Sequence, residues 1–522
     1  MSKNTARLCG YLLAEHFGNF VEKVGLVLLN RGRSSLREID QKAKISLRLV
    51  RESLFVLLQH NLVTFWEHTE GSRLVPYYQL EVQNVLMLDR YPTYIKVVMD
   101  QYGEEAADIV AETLRQGRIN MEHIKQWKGW SDNPKEAEMY PVKQAISELI
   151  DNRFMTIVSF LDAHSRNDRH MADTKEAFAK AGLNPNASDK KKINIQLADK
   201  WQEEDGDYVE AQTGEKRKRA MVVKDFEGNK RHAGDANDVF AAGNSYRVNF
   251  ERFHIYLRTD DVAKFAAQRI NPAAGAIMKN FLRRAEDRPA LCKTQTETEF
   301  VRSVKPPDDV ELLVEGDAGA NRLLEYMEWL ADGSEGFLKK KGELYCCPIR
   351  DVVTRLKQQV IESIIVERFS EDHKRIWRIL LMKEKLDEKQ VAKFAMVPIK
   401  EARRCLFDLH NAGFAFIQDV PRTADHATTK TFFLFYICIR TTSHQLVESG
   451  YRTLANLKQR RAKEIFARKL LLEKSERTDV VDGEGSLSVG ELRQLDILGE
   501  VIKRLRSSEM RMDRMMLIFR DY

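Results

Sequence analysis

The sequence lacks the features that identify membrane proteins, disulfide-rich secreted proteins and metalloproteins. No run approaches the roughly 18 consecutive apolar residues that a membrane-spanning helix requires. The six cysteines form neither a CxxC pair nor a spaced framework, so we expect incidental thiols in a reducing compartment and no metal site. Glu15 and His16 interrupt the apolar stretch near the N-terminus, and a secretory signal is therefore not expected.

The chain also lacks the short motifs of the common enzyme classes. It contains no GxxxxGK[ST] phosphate loop, no HExxH zinc motif, no GxSxG elbow and no GxGxxG fingerprint after a strand. His164 and His170 lie in a polar region and are interpreted as surface histidines. The sequence therefore predicts a protein without catalytic activity and without a cofactor.

A strong excess of one charge is missing as well. The net charge of +6 is too small to indicate nucleic-acid binding by itself. Basic residues cluster in the runs 189–193, 215–220 and 337–343, although each run is equally compatible with a solvated surface. Because 522 residues exceed what one hydrophobic core usually serves, we expect several domains.

A helix followed directly by a strand occurs twice, at 46–67 and at 398–419. In the first copy, apolar residues recur at helical spacing after the candidate N-cap Ser46; they are Leu47, Val50, Leu54, Leu57 and Leu58. Beyond Asn61 the residues become β-branched and aromatic, which predicts two strands joined by a turn. Upstream we predict a first helix ending near Gly32 and a short second helix. The order helix, helix, helix, hairpin is typical of a winged-helix domain.

Further copies of this pattern follow along the chain. The copy at 398–419 matches the first at a constant offset, with Ile399, Ala402, Leu406, Leu409 and Gly413 in the places of Leu47, Val50, Leu54, Leu57 and Asn61. Another copy is predicted from 106 to 160, where Val142, Ala145, Ile146 and Leu149 face a core. A weaker copy between 249 and 368 is interrupted by a long polar segment. The predicted fold class is mainly α with small β wings: tandem winged-helix domains, a helix-turn-helix variant, and a C-terminal coiled-coil helical hairpin.

The predicted organisation has six parts. They are winged helix 1 at 1–85, winged helix 2 at 86–161, a mobile charged insertion at 162–245, winged helix 3 with an insertion at 246–368, winged helix 4 at 369–440 and a coiled-coil hairpin at 441–522. The insertion at 162–245 is poor in large apolar residues and is therefore expected to be mobile. Its basic tetrad Lys216, Arg217, Lys218 and Arg219 is a candidate nuclear localisation signal, with a solvated run as the equal alternative.

The C-terminal hairpin is predicted from a heptad pattern. Apolar residues step by three and four, with Glu509 as an interruption, and the seam consists of Leu495, Leu498, Ile502, Leu505, Met512, Met516 and Phe519; the first six are taken as candidate contacts. The preceding segment 451–474 has an imperfect seam because Lys458, Arg461 and Arg468 interrupt it. We therefore predict an antiparallel helical hairpin that leaves part of its apolar stripe for another protein.

Basic residues on the third helices and in one wing are candidate contacts to DNA phosphates, which position a protein without reading the base sequence. They are Arg48, Arg51, Lys143, Lys339, Lys340, Lys341, Lys400, Arg403 and Arg404. Phe55 and the aligned Phe407 are predicted to point outward. Since an exposed aromatic on a would-be reading face favours protein contact, Phe55, Phe407 and the first six residues of the heptad seam are candidate partner contacts.

Several stretches give the chain a resemblance to a known family. They are "LCGYLLAEHFGNFVEKVG", "YRVNFERFHIYLR", "RIWRILLMKEKLDEKQVAKFAMVPIKEA" and "LLEKSER". The chain resembles the winged-helix subunit of RNA polymerase III that belongs to its three-protein initiation subcomplex. The resemblance covers nearly the whole chain and departs from the family in the insertion and beyond Lys474.

The resemblance implies a non-catalytic subunit of the nucleus with four winged-helix domains and a C-terminal coiled coil. It implies two companion subunits in the initiation heterotrimer, a seat on the clamp of the largest polymerase subunit, and contact with the initiation factor that contains the TATA-binding protein. The implied task is to help open and hold promoter DNA, both double-stranded and single-stranded.

The residues alone leave two other classes open, a free-standing winged-helix DNA-binding regulator and an enzyme or unrelated winged-helix scaffold. Co-purification distinguishes the three classes. A polymerase subunit brings stoichiometric polymerase subunits with it, a regulator binds a defined DNA site as a dimer, and the last class does neither.

Overall fold

The computed structural model describes residues 2–70, 73–130, 136–158, 160–180, 190–197, 222–224, 230–232, 244–285, 292–293, 295, 297–298, 301–302, 319–332, 336–342, 344–421, 431–476 and 487–522. These residues form two compact units. The first unit contains Met1–Phe253 and Tyr451–Asp513, and the second contains His254–Gly450 and Arg514–Tyr522. Helices dominate both units and are accompanied by small antiparallel sheets, so the predicted fold class, mainly α with small wings, is confirmed.

The first module stands at the start of the first unit. Its helices are α1 (Lys3–Phe17), α2 (Asn19–Arg31), α3 (Leu36–Ala43) and α4 (Leu47–Gln59), and its strands are β1 (Ser34–Ser35), β2 (Val63–Glu70) and β3 (Arg73–Leu80). The sheet order is β1-β3-β2. Sequence analysis predicted a single helix up to Gly32, which is wrong. The helix is interrupted at Gly18, whose φ of 86° is a conformation that glycine adopts readily.

The second module is completed by a strand from far along the chain. It contains α5 (Val82–Leu86), the short 3-10 helix Leu88–Arg90, α6 (Tyr91–Tyr102), α7 (Glu104–Gln116), β4 (Ile119–Asn120), α8 (Met121–Lys128), α9 (Glu136–Asp151) and β5 (Met155–Ile157). Its sheet has the order β4-β8-β5, so the remote strand β8 (Ser245–Val248) pairs with both others. The residues of α9 that were predicted to face a core are buried; they are Val142, Ala145, Ile146 and Leu149.

Residues 158–244 therefore lie inside the second wing, between β5 and β8. Within this range the structure describes the short 3-10 helix Phe160–Ala163, α10 (Arg166–Lys180), α11 (190–197) and the hairpin of β6 (Val222–Lys224) and β7 (Lys230–His232). Arg33 of the first module donates to the buried carboxylate of Asp168 at 2.9 and 2.7 Å. The mobility of 162–245 and the module boundaries stay predictions. The strand β8 belongs to the sheet of the second module although it follows the insertion, and no local sequence pattern indicates this pairing.

The third module is part of the second unit. It is built from residues 254–269 of α12 (Phe250–Arg269), α13 (Pro272–Ala285), β9 (Val301–Arg302), α14 (Gly319–Asp332), β10 (Lys339–Lys341) and β11 (Leu344–Cys346), followed by α15 (Ile349–Arg368). The sheet order is β10-β11-β9. Phe265, Phe281 and Phe337 are buried in its core together with Val352 of α15.

The fourth module repeats the plan of the first. It contains α16 (Glu371–Lys383), β12 (Lys385–Leu386), α17 (Glu388–Ala395), α18 (Ile399–Asn411), β13 (Phe416–Pro421) and β14 (Thr431–Tyr436), with the sheet order β12-β14-β13. Trp377 of α16 is fully buried, and its Nε1 donates to the carbonyl of Phe414 at 3.3 Å. This hydrogen bond satisfies the one polar atom of a large core side chain.

The C-terminal segment consists of α19 (Ile439–Ala467), α20 (Lys469–Ser475) and α21 (Val489–Arg520). In the first unit, Lys474 pairs with Glu491 at 2.7 Å and Arg461 pairs with Glu509 at 3.0 Å. Residues earlier in 451–474 therefore pair with residues later in α21. This is the antiparallel arrangement that a helical hairpin requires, whereas heptad packing as a coiled coil stays a prediction.

In the part of the chain that the structure describes, no helix is both long and apolar enough to cross a membrane.

Candidate nucleic-acid and partner interface

The third helix of the first module presents a basic and aromatic face. Val50, Leu54 and Leu57 of α4 are buried in the module's core. Phe55 projects outward with 68% of its surface exposed. Leu47 was expected in the core and is instead exposed, because it is the first residue of the helix and precedes the turn that packs.

The third helix of the fourth module has the same division. Ala402, Leu406 and Leu409 of α18 are buried, and Phe407 is 61% exposed. Ile399 is exposed like Leu47, so both copies depart from the expected core face at their first helical position. The outward placement of Phe55 and Phe407 agrees with the face assignment made from helical spacing. Their contact with a partner stays a prediction.

The basic residues of these two helices differ in whether a carboxylate already pairs with them. The Arg48 guanidinium lies 2.8 Å from the Glu52 carboxylate, and the Arg403 guanidinium contacts Glu388 at 2.7 and 3.0 Å. Arg404 makes a weaker contact, because its Nε lies 3.9 Å from the Asp408 carboxylate and 84% of its side chain is exposed. Among the residues that the structure describes, Arg51 and Lys400 form no salt bridge. Arg51, Lys400 and Arg404 are therefore the cations of these helices most available to a phosphate.

The remaining candidates for phosphate contact lie in the second and third modules. Lys339 pairs with Glu297 at 2.7 Å, and Lys340 pairs with Glu328 at 2.9 Å. Lys341 lies at the end of β10, and Lys143 is half-buried on α9. Because a phosphate would have to compete with carboxylates that already neutralise Lys339 and Lys340, the third wing is a weaker electrostatic site than the sequence run suggests. The basic tetrad Lys216, Arg217, Lys218 and Arg219 lies outside the described residues.

A side chain that could read bases is already engaged at the end of α4. The Nε2 of Gln59 donates to the carbonyl of Gln116 at 2.7 Å. Arg118 donates to the Asn61 side chain at 2.5 Å beside it. This hydrogen bond uses one of the two Nε2–H donors of Gln59 and holds its side chain against Gln116.

The heptad seam of α21 is largely covered. Leu498 and Met516 are buried, and Leu495, Ile502, Leu505 and Met512 are half-buried. In the second unit Gly450 leaves no room for a side chain against Met516, so this end of the seam is closely packed. The apolar side chains that α21 exposes are different ones, namely Val489, Leu492, Ile497 and Met510. The role of the seam residues as partner contacts stays a prediction.

Lys458 and Arg461, two of the three cations that interrupt the seam of 451–474, lie beside Glu509, which interrupts the seam of α21. The third cation, Arg468, pairs instead with Glu464 of α19. Arg461 contacts Glu509 at 3.0 Å and Glu15 of α1 at 2.8 Å. Lys458 contacts Asp89 at 2.6 Å and Glu15 at 3.1 Å. Both cations are almost fully buried. Lys458, Arg461 and Glu509 thus belong to an ion cluster with buried cations, which joins α1, the 3-10 helix Leu88–Arg90, α19 and α21 within the first unit.

The pKa values of two carboxylates in the cluster shift in opposite directions, because burial and the neighbouring cations act on each to a different extent. Burial alone would raise the pKa of Glu15, but the hydrogen bond from Arg461 and the charge of Lys458 lower it to about 2. Burial raises the pKa of Asp89 to about 6, only partly opposed by Lys458. Arg90 next to Asp89 forms a further buried pair with Asp513 at 2.9 Å.

Sequence reasoning missed several of these features. Glu15 was used only as an interruption of an apolar stretch, although it is a central partner of Lys458 and Arg461. His164, interpreted as a surface residue, is half-buried against Phe65 and Trp66 of the first wing at ring distances of 4.8 and 5.5 Å. These contacts join residues that are far apart in the chain, so no local pattern in the sequence indicates them.

The geometry contains no arrangement that suggests metal chemistry: within the described ranges, no group of three or more His, Cys, Asp or Glu side chains is placed to hold a metal ion.

Three family profiles match the chain. The helix-turn-helix domain of RNA polymerase III subunit RPC82 matches residues 7–68, the RNA polymerase III subunit RPC82 profile matches residues 144–356, and the C-terminal winged-helix domain of POLR3C matches residues 361–437. The first and last of these ranges contain the two copies of the helix-and-strand pattern, with α4 and α18 as their third helices.

Curated relatives match over the full length. The DNA-directed RNA polymerase III subunit RPC3 of Danio rerio is 28% identical over 551 residues, which cover 100% of this chain and 98% of the relative. The subunit of the same name from Homo sapiens is 27% identical over 548 residues, with coverages of 100% and 98%. The subunit RPC-3 of Coccidioides immitis (strain RS) is 23% identical over 660 residues, with both chains covered completely.

Proposed function

The chain belongs to the RPC82/RPC3 family of RNA polymerase III subunits and is a non-catalytic component of that polymerase, and from this premise we propose that it acts in transcription initiation. In this role it scaffolds an initiation heterotrimer with two companion subunits on the clamp of the largest polymerase subunit. It meets the initiation factor that contains the TATA-binding protein, and it helps to open and hold promoter DNA through contacts that do not read sequence. It works in the nucleus, where promoter DNA is.

The proposal rests on a feature that the third helices α4 and α18 share. Each buries one face in its own module and exposes a phenylalanine beside free cations. Aromatic anchors are typical of protein interfaces, whereas lysine and arginine meet phosphates without specifying bases. A subunit that holds both protein partners and promoter DNA needs both kinds of contact on one module.

A free-standing regulator would need a face that reads bases. The Gln59 side chain donates to the Gln116 carbonyl at the end of α4, and Phe55 and Phe407 stand at the centre of the exposed faces of α4 and α18. Purification of the tagged chain from nuclear extract tests the proposal directly. Stoichiometric polymerase subunits with two companions that stay bound after the core enzyme dissociates support it, and isolation of the chain alone contradicts it.

We expect the isolated protein to bind duplex DNA weakly, with an affinity that falls steeply with salt. Each phosphate that a cation neutralises adds about −0.9 to the slope of log K against log salt concentration. Replacing Arg51, Lys400 and Arg404 together by glutamine should therefore make the slope less negative by about 2 to 3. Fluorescence anisotropy with a 20-bp duplex between about 50 and 200 mM salt measures it.

Lys339→Gln with Lys340→Gln is the matched control, because these two cations are already paired with carboxylates. We expect this control to change the slope by less than one phosphate contact. Tight binding to one particular sequence at physiological salt, or a larger effect of the control than of the triple variant, contradicts the proposed phosphate contacts.

We expect nuclear accumulation to fall when Lys216, Arg217, Lys218 and Arg219 are all changed to alanine. An exposed basic tetrad is the kind of segment that an import receptor binds. Imaging of the fluorescently tagged variant measures the nuclear fraction, and circular dichroism checks that the fold is retained. An unchanged nuclear fraction would mean that import depends on companion subunits or on another basic run.

A further inference from the structure

The turn between the second and third helices has the same backbone in the first and fourth modules but opposite side-chain character. Lys44 ends α3 and Met396 ends α17, both in the left-handed conformation with φ of 53° and 54°. Two residues earlier, Lys42 stands in the first module and Phe394 in the fourth. The fourth module therefore carries an aromatic residue and a methionine where the first carries two lysines.

Four apolar side chains are exposed on this turn and on the two helices that flank it in the fourth module. Phe394 is 48% exposed, Met396 90%, Ile399 47% and Phe407 61%. We call these four residues the apolar turn surface. Single exposed apolar residues are common on proteins, but a group on one helix-turn-helix element is typical of a binding site.

The fold of the fourth module does not require these side chains. Its core is formed by Val391, Ala395, Leu406 and other buried residues. Glycine would relieve the left-handed backbone at position 396, and a methionine that is 90% exposed contributes neither to the core nor to the helix end. Exposure of the apolar turn surface lowers the solubility of the protein, and a contact with another molecule would remove this disadvantage by covering the four side chains.

Helical geometry places cations of α18 beside these apolar residues and the carboxylates of α18 away from them, while Glu388 of α17 pairs with Arg403 on this side. At 100° per residue, Ile399, Lys400, Arg403 and Phe407 lie within an arc of about 100° on α18. Glu401 and Asp408 fall at least about 80° beyond that arc. One side of the helix therefore combines apolar anchors with positive charge.

The lysines around the surface are available for a partner. Lys383, Lys393 and Lys400 form no salt bridge in the described part of the chain. The Lys383 Nζ lies 5.9 Å from the centre of the Phe394 ring, which places positive charge directly at the surface. Arg403 is held by Glu388 on the α17 side. The complementary ligand is an acidic chain with apolar side chains.

We propose that the apolar turn surface docks an acidic polypeptide segment that carries aromatic or aliphatic anchors and belongs to another subunit of the polymerase. This inference rests on the proposed function and adds to it the chemistry of one partner. In the assembled polymerase the polypeptide takes the place of DNA on this surface, because phosphates gain nothing from Phe394 and Met396. Lys400 contacts phosphate in the isolated protein, where no polypeptide covers it. The equivalent turn of the first module, with Lys42 and Lys44, has the character expected for phosphate.

A photo-crosslinker at two matched positions tests the proposal in the assembled polymerase. One tagged full-length chain carries p-benzoylphenylalanine in place of Phe407, and the other carries it in place of Phe55. Each is purified with the polymerase and irradiated, and the adducts are identified by mass spectrometry. The experiment is repeated with Phe394→Lys and Met396→Lys, which copy the lysines of the first module onto exposed positions and so leave the core intact.

We expect the Phe407 position to attach to a polypeptide segment rich in Asp and Glu with apolar residues between them. The double lysine variant should lower the yield of this adduct at least about tenfold, as expected when interface anchors are lost. The yield at the Phe55 position should stay within about twofold. An adduct with DNA, an adduct with a segment that lacks acidic residues, or an unchanged yield in the double variant overturns the inference.

Failure of the inference differs visibly from failure of the proposed function. If the tagged chain brings no polymerase subunits with it, the proposed function fails before irradiation. If the polymerase co-purifies and the Phe407 position gives no polypeptide adduct, only the docking proposal fails.

Discussion

Leu54→Ala and Leu406→Ala should each destabilise their module by about 2–5 kcal/mol, since each removes a buried side chain and leaves a cavity. Leu54 and Leu406 are almost fully buried at matching positions of α4 and α18. A loss of this size is a large part of the total stability of a small domain, which is typically about 5–15 kcal/mol. Urea unfolding followed by circular dichroism measures the loss for each variant.

Phe55→Ala and Phe407→Ala are the matched controls, because each phenylalanine is the next residue along the same helix and is exposed. These variants should leave the unfolding midpoint nearly unchanged and should weaken the capture of polymerase or companion subunits. If the phenylalanine variants unfold and the leucine variants do not, the core faces of α4 and α18 are assigned incorrectly, and the partner contacts proposed for Phe55 and Phe407 lose their basis.

Arg461→Ala should destabilise the first unit by about 3–5 kcal/mol, because it leaves the buried carboxylate of Glu509 without its partner. Arg461 contacts Glu15 and Glu509, and Glu509 is itself buried. Arg460→Ala is the neighbouring control, since Arg460 is 68% exposed and lies 3.8 Å from Glu464. We expect the control to change stability by less than about 1 kcal/mol. Equal losses in the two variants would show that the ion cluster does not stabilise the unit.

The pH dependence of unfolding provides a second readout of the same cluster. The pKa of Glu15 is lowered from 4.5 to about 2, so its contribution to stability is present above pH 4.5 and is lost as the pH falls toward 2. Arg461→Ala should therefore reduce the loss of stability in that acidic range. Asp89 acts in the opposite sense, because a pKa raised from 3.8 to about 6 makes stability fall as the pH rises between these values.

The ion cluster also suggests how α19 and α21 are held against α1 in one register. A buried cation that slips by one helical turn loses its carboxylates and is left unpaired in a dry environment, which is strongly unfavourable. Lys458 and Arg461 lie three residues apart on α19 and meet Glu15 together. An apolar seam alone would tolerate such a slip better, since leucine and methionine pack in several registers.

Local patterns in the sequence determined much of the first and fourth modules. The spacing of Val50, Leu54 and Leu57 identifies the buried face of α4, because side chains three and four residues apart share one side of a helix. The same spacing identifies the face of α18 that carries Leu406, and it places Phe55 and Phe407 outside. Repetition at a constant offset adds evidence that no single copy provides.

The tertiary structure alone decided which strand completes the second wing and which charges lie inside the protein. The strand β8 joins the sheet of β4 and β5 across residues 158–244, and Arg461 meets Glu15 from the other end of the chain. Residues so far apart leave no local pattern, and the entropic cost of closing a long loop rises only slowly with its length. Glu509, Lys458 and Arg461 therefore look like defects in an apolar seam when the sequence is read locally, and they become one ion cluster when folding brings α1, α19 and α21 together.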